Sequence, residues 1–215
     1  MYEFTREAVQ KLFDLGCHLV ILACNTASAK ALITIQQNDL PQMEGEPRRV
    51  LGVIRPTAEC IGQITHSRHV GILATSGTIS SGSYPLEIRK LYPDIVVSGE
   101  ACPMWVPLVE NYEYDSPGAD YFVEKRIGNL LRKDPAIDTI VLGCTHYPLL
   151  LNKILKYTPR NVRIVPQGEY VAYSLKDYLQ RHTEIETLCT QSVTCRFLTT
   201  ESPDKYMESA SIFLR

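Results

Sequence analysis

The sequence lacks three features that would point to a specialised class of protein. It has no C-x-x-C pair, and its seven cysteines are an odd number, which argues against a disulfide scaffold and against a zinc knuckle. No apolar run approaches the roughly twenty residues of a membrane-spanning helix. The 22 basic and 24 acidic side chains nearly cancel, so no charge excess marks a surface for nucleic acid or an anionic membrane. We therefore expect a small-molecule partner, no nucleic acid and no membrane.

What is present is the composition of an ordinary folded protein. A chain of 215 residues with 45% hydrophobic side chains is long enough for one large domain or two small ones. The apolar run at residues 19–23, followed by Cys24, is similar to a lipoprotein signal. Residues 1–15 instead carry charges of both signs and apolar residues at helical spacing, which predicts a helix ending at Gly16. We expect a cytoplasmic protein with reduced cysteines.

A short apolar run, a cluster of small polar residues and an amphipathic helix follow one another three times along the chain. The apolar runs are residues 19–23, 69–74 and 139–143. Such strand-loop-helix units are typical of parallel sheets that are covered on both faces, so the sequence predicts an α/β fold. Further strands are expected at residues 50–54, 95–98, 162–165 and 193–199, and a further helix at residues 170–181.

The stretch from Asp39 to Arg49 is rich in proline and glutamate and interrupts this pattern. Its composition is typical of a connection between domains. We expect two similar small α/β lobes with parallel sheets and the active site between them. The first lobe comprises residues 1–50 and 165–215, and the second comprises residues 51–164.

Two of the predicted strands end in a cysteine, Cys24 and Cys144, and the residues that precede them also match. Any two buried parallel strands share apolar residues, but that similarity does not account for the cysteines. The carboxyl ends of strands bind ligands in open α/β sheets, and a helix that starts there stabilises a thiolate and attracts a carboxylate. A buried thiol with no chemical role is the alternative for each cysteine. The pattern favours two thiols on opposite sides of one ligand.

Opposed thiols suit the transfer of a proton from one face of a carbon atom to the other. One cysteine takes the proton as a thiolate, and the other returns a proton as a thiol. Ionising a free thiol with a pKa of about 8.5 costs roughly 2 kcal/mol at neutral pH, which a helix end and a nearby proton acceptor can offset. Because the sequence shows no lysine motif for a pyridoxal Schiff base and no metal-ligand spacing, we expect no cofactor and no metal.

Four segments resemble the glutamate racemases, in order along the chain. They are residues 23–29 (ACNTASA), 75–84 (TSGTISSGSY), 101–110 (ACPMWVPLVE) and 142–150 (LGCTHYPLL). The resemblance implies a cytoplasmic isomerase that interconverts L- and D-glutamate by a two-base mechanism without a cofactor. It also implies that the product D-glutamate serves peptidoglycan synthesis, and it leaves a homodimer open.

The resemblance implies roles for individual residues as well. Cys24 is similar to the base for the D-substrate and Cys144 to the base for the L-substrate, while Glu110 and His146 are similar to assistants of the second cysteine. His146 can accept or return a proton near neutral pH, although a locally hydrogen-bonded histidine and a solvated Glu110 are the simpler alternatives. The residues implied to bind the substrate's carboxylate and amino groups are Asn25, Thr26, Thr75, Thr78 and Thr145.

The chain departs from the glutamate racemases in two places. In that family a strand with an Asp-Ser-Gly-rich loop and a Pro-Tyr-Gly loop come before the first cysteine motif, whereas one predicted helix precedes Cys24 here. Residues 166–168 are Pro-Gln-Gly, where many members carry Asp-Ser-Gly. We expect from this that the first lobe lacks its N-terminal strand-helix-strand segment and exposes apolar surface.

Two alternatives stay open. Because the Asp-Ser and Pro-Tyr-Gly loops are not found, the chain is also compatible with an impaired fragment that only binds glutamate-like ligands. A racemase for another small acidic amino acid, such as aspartate, is the weaker alternative.

Overall fold

The computed structural model describes residues 1–190, 194–211 and 213. Within these residues the structure is α/β with two parallel sheets, as predicted. The first sheet pairs β1 (Leu19–Leu22) with β2 (Arg49–Gly52). The second sheet has the order β4-β3-β5-β6. Its strands are β3 (His69–Ala74), β4 (Val96–Ala101), β5 (Thr139–Gly143) and β6 (Arg163–Pro166).

Helices connect the strands and cover the sheets. In chain order they are α1 (Tyr2–Asp14), α2 (Asn25–Lys30), α3 (Leu32–Thr34), α4 (Ile54–Ile64), α5 (Ser76–Ser81), α6 (Ser83–Leu91), α7 (Trp105–Glu110), α8 (Pro117–Lys133), α9 (Leu151–Tyr157), α10 (Gly168–Arg181), α11 (Thr183–Glu186) and α12 (Pro203–Ala210). A π-helix spans Ile35–Asp39, and 3-10 helices span Leu40–Gln42 and Tyr147–Leu150. The predicted strands up to residue 166 and the predicted helix at 170–181 lie within a few residues of these elements.

The predicted N-terminal helix is confirmed. Helix α1 buries Val9 and Phe13 on one face, and it ends before Gly16, whose φ of 89° is the left-handed conformation that glycine favours after a helix. Its buried face packs on the first sheet and on the helices that follow β1. The remaining buried members of this core are Val20, Leu22, Ala31, Ile35 and Val50.

The second sheet is covered on both faces, as its apolar strands predict. Alternate residues of β3 point to opposite sides, so that Ile72 packs against α4 and α6 while Leu73 packs against α7, α8 and α9. Every residue of β5 is buried. A sheet with helices on both faces leaves its strand ends as the accessible edges, and loops at the carboxyl ends can therefore hold a site.

The stretch from Asp39 to Arg49 does not connect two domains, contrary to our prediction. It lies between helices that pack on the first sheet and β2, which pairs with β1 in the same sheet. The pairings place all of β2 in the first sheet and all of β6 in the second. The division into two lobes stays a prediction, and β2 and β6 each span one of the boundaries proposed for it, at residues 50/51 and 164/165.

The first sheet differs from the expected form, in which both faces are covered. Val20 and Leu22 are buried, but Ile21 between them is 38% exposed. Ile21 and Leu51 line an open groove of about 440 Å³ that also receives side chains from α3, α4, α6 and α10. The alternation of buried and exposed side chains along β1 shows that one face of the first sheet borders the groove.

The strand predicted at residues 193–199 is wrong for residues 194–199, which form no strand, whereas residue 193 lies outside the described residues. Phe197 and Leu198 are exposed there, so apolar content alone misled the prediction. Among the described residues, no helix has the length and apolar character that crossing a membrane requires.

The amino-terminal edge of the second sheet is fixed by Asp138, which directly precedes β5. Its carboxylate accepts hydrogen bonds from the hydroxyls of Thr65 and Thr139 at 2.6 and 2.8 Å, and from the backbone N–H groups of His66 and Ser67 at 2.7 Å each. Burial raises the pKa of Asp138, but these donors outweigh burial and hold the pKa well below its usual range.

We predict that Asp138→Asn destabilises the fold at neutral pH. A carboxyl group with a lowered pKa in the folded state stabilises it above the unfolded pKa of about 3.9, and this stabilisation is lost as the pH falls through the folded-state pKa. Urea unfolding at pH 7 should show a loss of about 1–3 kcal/mol, and the difference should shrink below about pH 4. Exposed Asp115 supplies the control Asp115→Asn. Equal stability of Asp138→Asn and the unaltered protein at pH 7 would contradict this account.

Candidate active site

Cys24 and Cys144 both lie at the carboxyl end of a strand, as the sequence predicts. Cys24 follows β1 and is the N-cap of α2, and its side chain is exposed. Cys144 directly follows β5 and is partly buried. Burial is the main cause that raises the pKa of Cys144, and the nearby Cys24 thiol raises it further when it is ionised.

A histidine and a carboxylate extend from Cys144 in a line. Nδ1 of His146 lies 3.8 Å from Sγ of Cys144, and Nε2 of the same ring lies 3.1 Å from Oε1 of Glu110. Glu110 is the last residue of α7, and a side-chain contact of this kind fixes which ring nitrogen faces the thiol. The structure thus brings together the three residues that the resemblance associates with the second base.

The Cys144 thiol is protonated at neutral pH in this structure. Burial raises its pKa to about 11, the backbone N–H groups of His146 and Thr145 lower it, and the charges of Cys24 and Glu110 raise it further. At pH 7 the ionisation of such a thiol costs about 5 kcal/mol. The backbone N–H groups expected after this strand are present and lower the pKa, but burial outweighs them, and the chain passes through a turn before the 3-10 helix starts at Tyr147.

Three threonine hydroxyls form a cluster where α2 meets α5. Oγ1 of Thr26 lies 2.9 Å from Oγ1 of Thr75 and 3.1 Å from Oγ1 of Thr78, and the Thr75 hydroxyl donates to Thr78 at 3.1 Å. Thr75 is also the N-cap of α5. Gly77 permits this approach, since a Cβ at that position would lie 3.0 Å from Cγ2 of Thr26. The cluster connects a loop of the first sheet to a loop of the second.

Asn25 is buried beside Cys24, with 3% exposure, and both polar ends of its side chain are engaged. Nδ2 donates to Oε1 of Gln167 at 2.7 Å, and Oδ1 accepts from the hydroxyl of Tyr84 at 2.7 Å. The predicted contact between Asn25 and a substrate stays a prediction. Its observed partners lie on α6 and at the N-cap of α10.

Two further residues border Cys144 and His146. Thr145 is exposed between them. Phe213 presents a ring edge to His146, with the ring centroids 5.3 Å apart and the planes at 82°. Phe213 lies beyond α12, in a part of the sequence that carries no motif, and sequence reasoning did not select it.

Sequence reasoning also missed Tyr84 and Gln167 as partners of Asn25, and Thr57 as a partner of Gln167. Tyr84 ends one of the segments that resemble a known family, and Gln167 is part of the Pro-Gln-Gly departure from it. The position of Gln167 directly after β6 was a usable signal, because polar residues at the carboxyl ends of parallel strands gather at one edge.

Comparison with known proteins identifies related racemases. The family model for the Asp/Glu/Hydantoin racemases matches residues 3–169. A glutamate racemase from Roseobacter denitrificans is 37% identical over 225 residues, which cover 100% of this chain and 80% of the relative.

Solved structures show the same likeness. A glutamate racemase isoform from Bacillus anthracis has a TM-score of 0.86 and 30% identity, covering 99% of this chain and 76% of that one. The glutamate racemase from Thermus thermophilus in complex with β-chloro-D-alanine has a TM-score of 0.75 and 29% identity, covering 98% and 74%. Because this family model matches residues 3–169 and relatives of 30% identity or more are racemases, the chain belongs to the Asp/Glu/Hydantoin racemase family of isomerases.

Proposed function

We propose that the protein interconverts L- and D-glutamate with two cysteines as acid and base, without a cofactor, and supplies D-glutamate for peptidoglycan. The observation that carries this proposal is the pairing of two strand-end thiols, one of which lies beside the His146–Glu110 pair. The 37% identity to a glutamate racemase supports glutamate as the substrate.

The proposed sequence of proton transfers starts with Cys144 as a protonated thiol. Cys24 as a thiolate removes the Cα proton from D-glutamate and becomes a thiol, and the electron pair stays on Cα. The Cys144 thiol then delivers its proton to the opposite face, which gives L-glutamate and a Cys144 thiolate. The enzyme returns to its starting form when Cys24 loses a proton and Cys144 regains one. The reverse direction uses the same atoms in the opposite order.

His146 is placed to carry the proton that Cys144 gains or loses. Its Nδ1 faces the thiol, and Glu110 at Nε2 stabilises the imidazolium that forms when the ring accepts a proton. Without such an acceptor, the L-to-D direction would have to ionise a thiol whose pKa is raised to about 11. The relay therefore matters most for the step in which Cys144 acts as the base.

The hydroxyl cluster of Thr26, Thr75 and Thr78 is suited to hold a carboxylate of the substrate. Each hydroxyl can turn its hydrogen from a neighbouring threonine to an anionic oxygen, and hydrogen bonds to a charged acceptor are the stronger ones. Thr145 lies exposed beside Cys144 and can bind the substrate from that side. Asn25 can contribute its second amide hydrogen, since one is donated to Gln167.

We predict that Cys24→Ala and Cys144→Ala each abolish racemisation but leave different exchange reactions. In Cys24→Ala, where Cys144 remains, L-glutamate should exchange its Cα hydrogen in heavy water and D-glutamate should not. In Cys144→Ala, where Cys24 remains, D-glutamate should exchange its Cα hydrogen and L-glutamate should not. Circular dichroism follows racemisation, and proton NMR follows exchange.

Two cysteines away from the site supply matched controls for this prediction. Cys195 is exposed like Cys24, and Cys60 is partly buried like Cys144. Cys195→Ala and Cys60→Ala should retain activity. Racemisation by either active-site variant would refute the two-thiol assignment. If the unaltered chain binds glutamate but does not exchange its Cα hydrogen, a ligand-binding protein is favoured. If it turns over aspartate faster than glutamate, aspartate is the substrate.

We predict that Glu110→Gln lowers the pKa of Cys144, because the charge of Glu110 raises it. The alkylation of Cys144 by iodoacetamide, followed by peptide mass spectrometry as a function of pH, should shift to lower pH.

The same variant should slow racemisation, since the imidazolium of His146 loses its partner, and His146→Gln should slow it more, by about 100-fold. The control is Glu113→Gln, at an exposed carboxylate nearby in the sequence. An unchanged alkylation profile in Glu110→Gln would contradict the relay.

A further inference from the structure

Three side chains beside the two thiols close a ring of hydrogen bonds. Asn25 Nδ2 donates to Gln167 Oε1 at 2.7 Å, Gln167 Nε2 donates to the Tyr84 hydroxyl at 2.6 Å, and the Tyr84 hydroxyl donates to Asn25 Oδ1 at 2.7 Å. Each donor has one acceptor in the ring, and all three bonds run in the same direction. Hydrogen bonds arranged head to tail in this way strengthen one another.

The ring is anchored to the start of α4 through Gln167. Its Nε2 also donates to Thr57 Oγ1 at 2.7 Å and to the carbonyl oxygen of Val53 at 3.3 Å, and the Thr57 hydroxyl donates to the same carbonyl. Thr57 is fully buried on α4. Both Nε2 hydrogens of Gln167 are therefore committed, and the side chain has no freedom to turn without breaking several bonds.

The ring touches the chain next to both thiols. Asn25 directly follows Cys24. On the other side, the Tyr84 ring packs against Gly143, the residue before Cys144, where a Cβ would lie 3.2 Å from Tyr84 Cε2. Tyr84 is 2% exposed, and burial raises the pKa of its hydroxyl, which keeps the hydroxyl a donor to Asn25.

We propose that Gln167 is a positioning residue that sets the spacing between the Cys24 and Cys144 turns through its bonds to Asn25 and Tyr84. The proposal rests on the function proposed above, because the spacing matters only if both thiols act on one carbon. Gln167 lies between β6 and α10, so the segment that leaves the second sheet also fixes the thiol of the first. Gln167 itself transfers no proton.

Loss of the Gln167 side chain should displace the two thiols and slow the reaction. Proton transfer from carbon requires the reacting atoms to be close and aligned, and a displacement of about 1 Å can cost on the order of 100-fold in rate. Gln167→Ala removes the acceptor of Asn25 and the donor to Tyr84 and Thr57 together. We expect kcat to fall by about 10- to 100-fold, with a smaller change in KM, because the threonine cluster is left in place.

The decisive readout is the kinetic isotope effect with α-deuterated L- and D-glutamate, measured on the full chain. Misplaced thiols make cleavage of the Cα–H bond slower relative to the other steps, so the isotope effect on kcat should rise in Gln167→Ala in at least one direction. A loss of folded protein lowers the concentration of active sites and leaves the isotope effect unchanged. Gln180→Ala, at an exposed glutamine of α10, the helix whose N-cap is Gln167, is the matched control.

A second variant keeps the inference testable if Gln167→Ala does not fold. Tyr84→Phe retains the aromatic packing on Gly143 and removes the hydroxyl from the ring, and it should move the isotope effect in the same direction. In the double variant Q167A/Y84F, the losses should be smaller than the product of the single ones, since both break the same ring.

Alkylation separates this inference from the proposed function. Iodoacetamide labelling of Cys24 and Cys144, quantified by mass spectrometry on the folded protein, should change several-fold in Gln167→Ala and not in Gln180→Ala. If the unaltered chain does not racemise glutamate but this labelling difference is found, the proposed function fails and the positioning role stands. Folded Gln167→Ala and Tyr84→Phe with unchanged labelling and unchanged isotope effects would overturn the positioning role.

Discussion

The hydrogen bonds between the start of α2 and the loops of the second sheet are the interaction on which the site depends. A parallel sheet presents its ligand-binding edge at the carboxyl ends of its strands, and each of these sheets contributes one thiol there. Thr26 meets Thr75 and Thr78 across the gap, and Asn25 meets Gln167. In the proposed mechanism these contacts hold the two strand-end cysteines on opposite sides of one carbon atom.

The electrostatics of the site follow from unequal burial of the two thiols. Cys24 is exposed, whereas Cys144 is partly buried against the core on one face of the second sheet, and this burial raises its pKa. A buried thiol is a good proton donor and a costly base, so the proposed direction in which Cys144 acts as a base requires a proton acceptor. His146 contacts both Cys144 and Glu110, and the proposed mechanism assigns that role to it.

Periodicity and turn chemistry predicted most of the second sheet and the helix before β1, because apolar strands and a glycine at a helix end leave clear signals in sequence. The same reasoning failed for residues 194–199, where Phe197 and Leu198 are exposed, and for the segment after Asp39, which stays with the first sheet. Those outcomes depend on which strand finds a partner, and composition does not determine strand pairing.

Some residues of the candidate site could be predicted from the sequence and others could not. Cys24 and Cys144 stand out from their strands, and the resemblance adds Glu110, His146 and the threonines. The ring of Asn25, Gln167 and Tyr84 was not predictable, because its members lie 59 and 142 residues from Asn25 in sequence and each alone is an unremarkable polar residue. The pKa of Cys144 was missed for a related reason, since burial is a property of the packed structure.

The most direct test of two opposed thiols is racemisation of L-glutamate by the unaltered protein in heavy water, followed by NMR and chiral analysis at early times. Two bases on opposite faces return a proton of solvent origin, so the D-glutamate formed should carry deuterium at Cα while unreacted L-glutamate still carries hydrogen. D-glutamate that retains the hydrogen of the substrate would mean that one group moves a single proton between faces, and it would contradict the account.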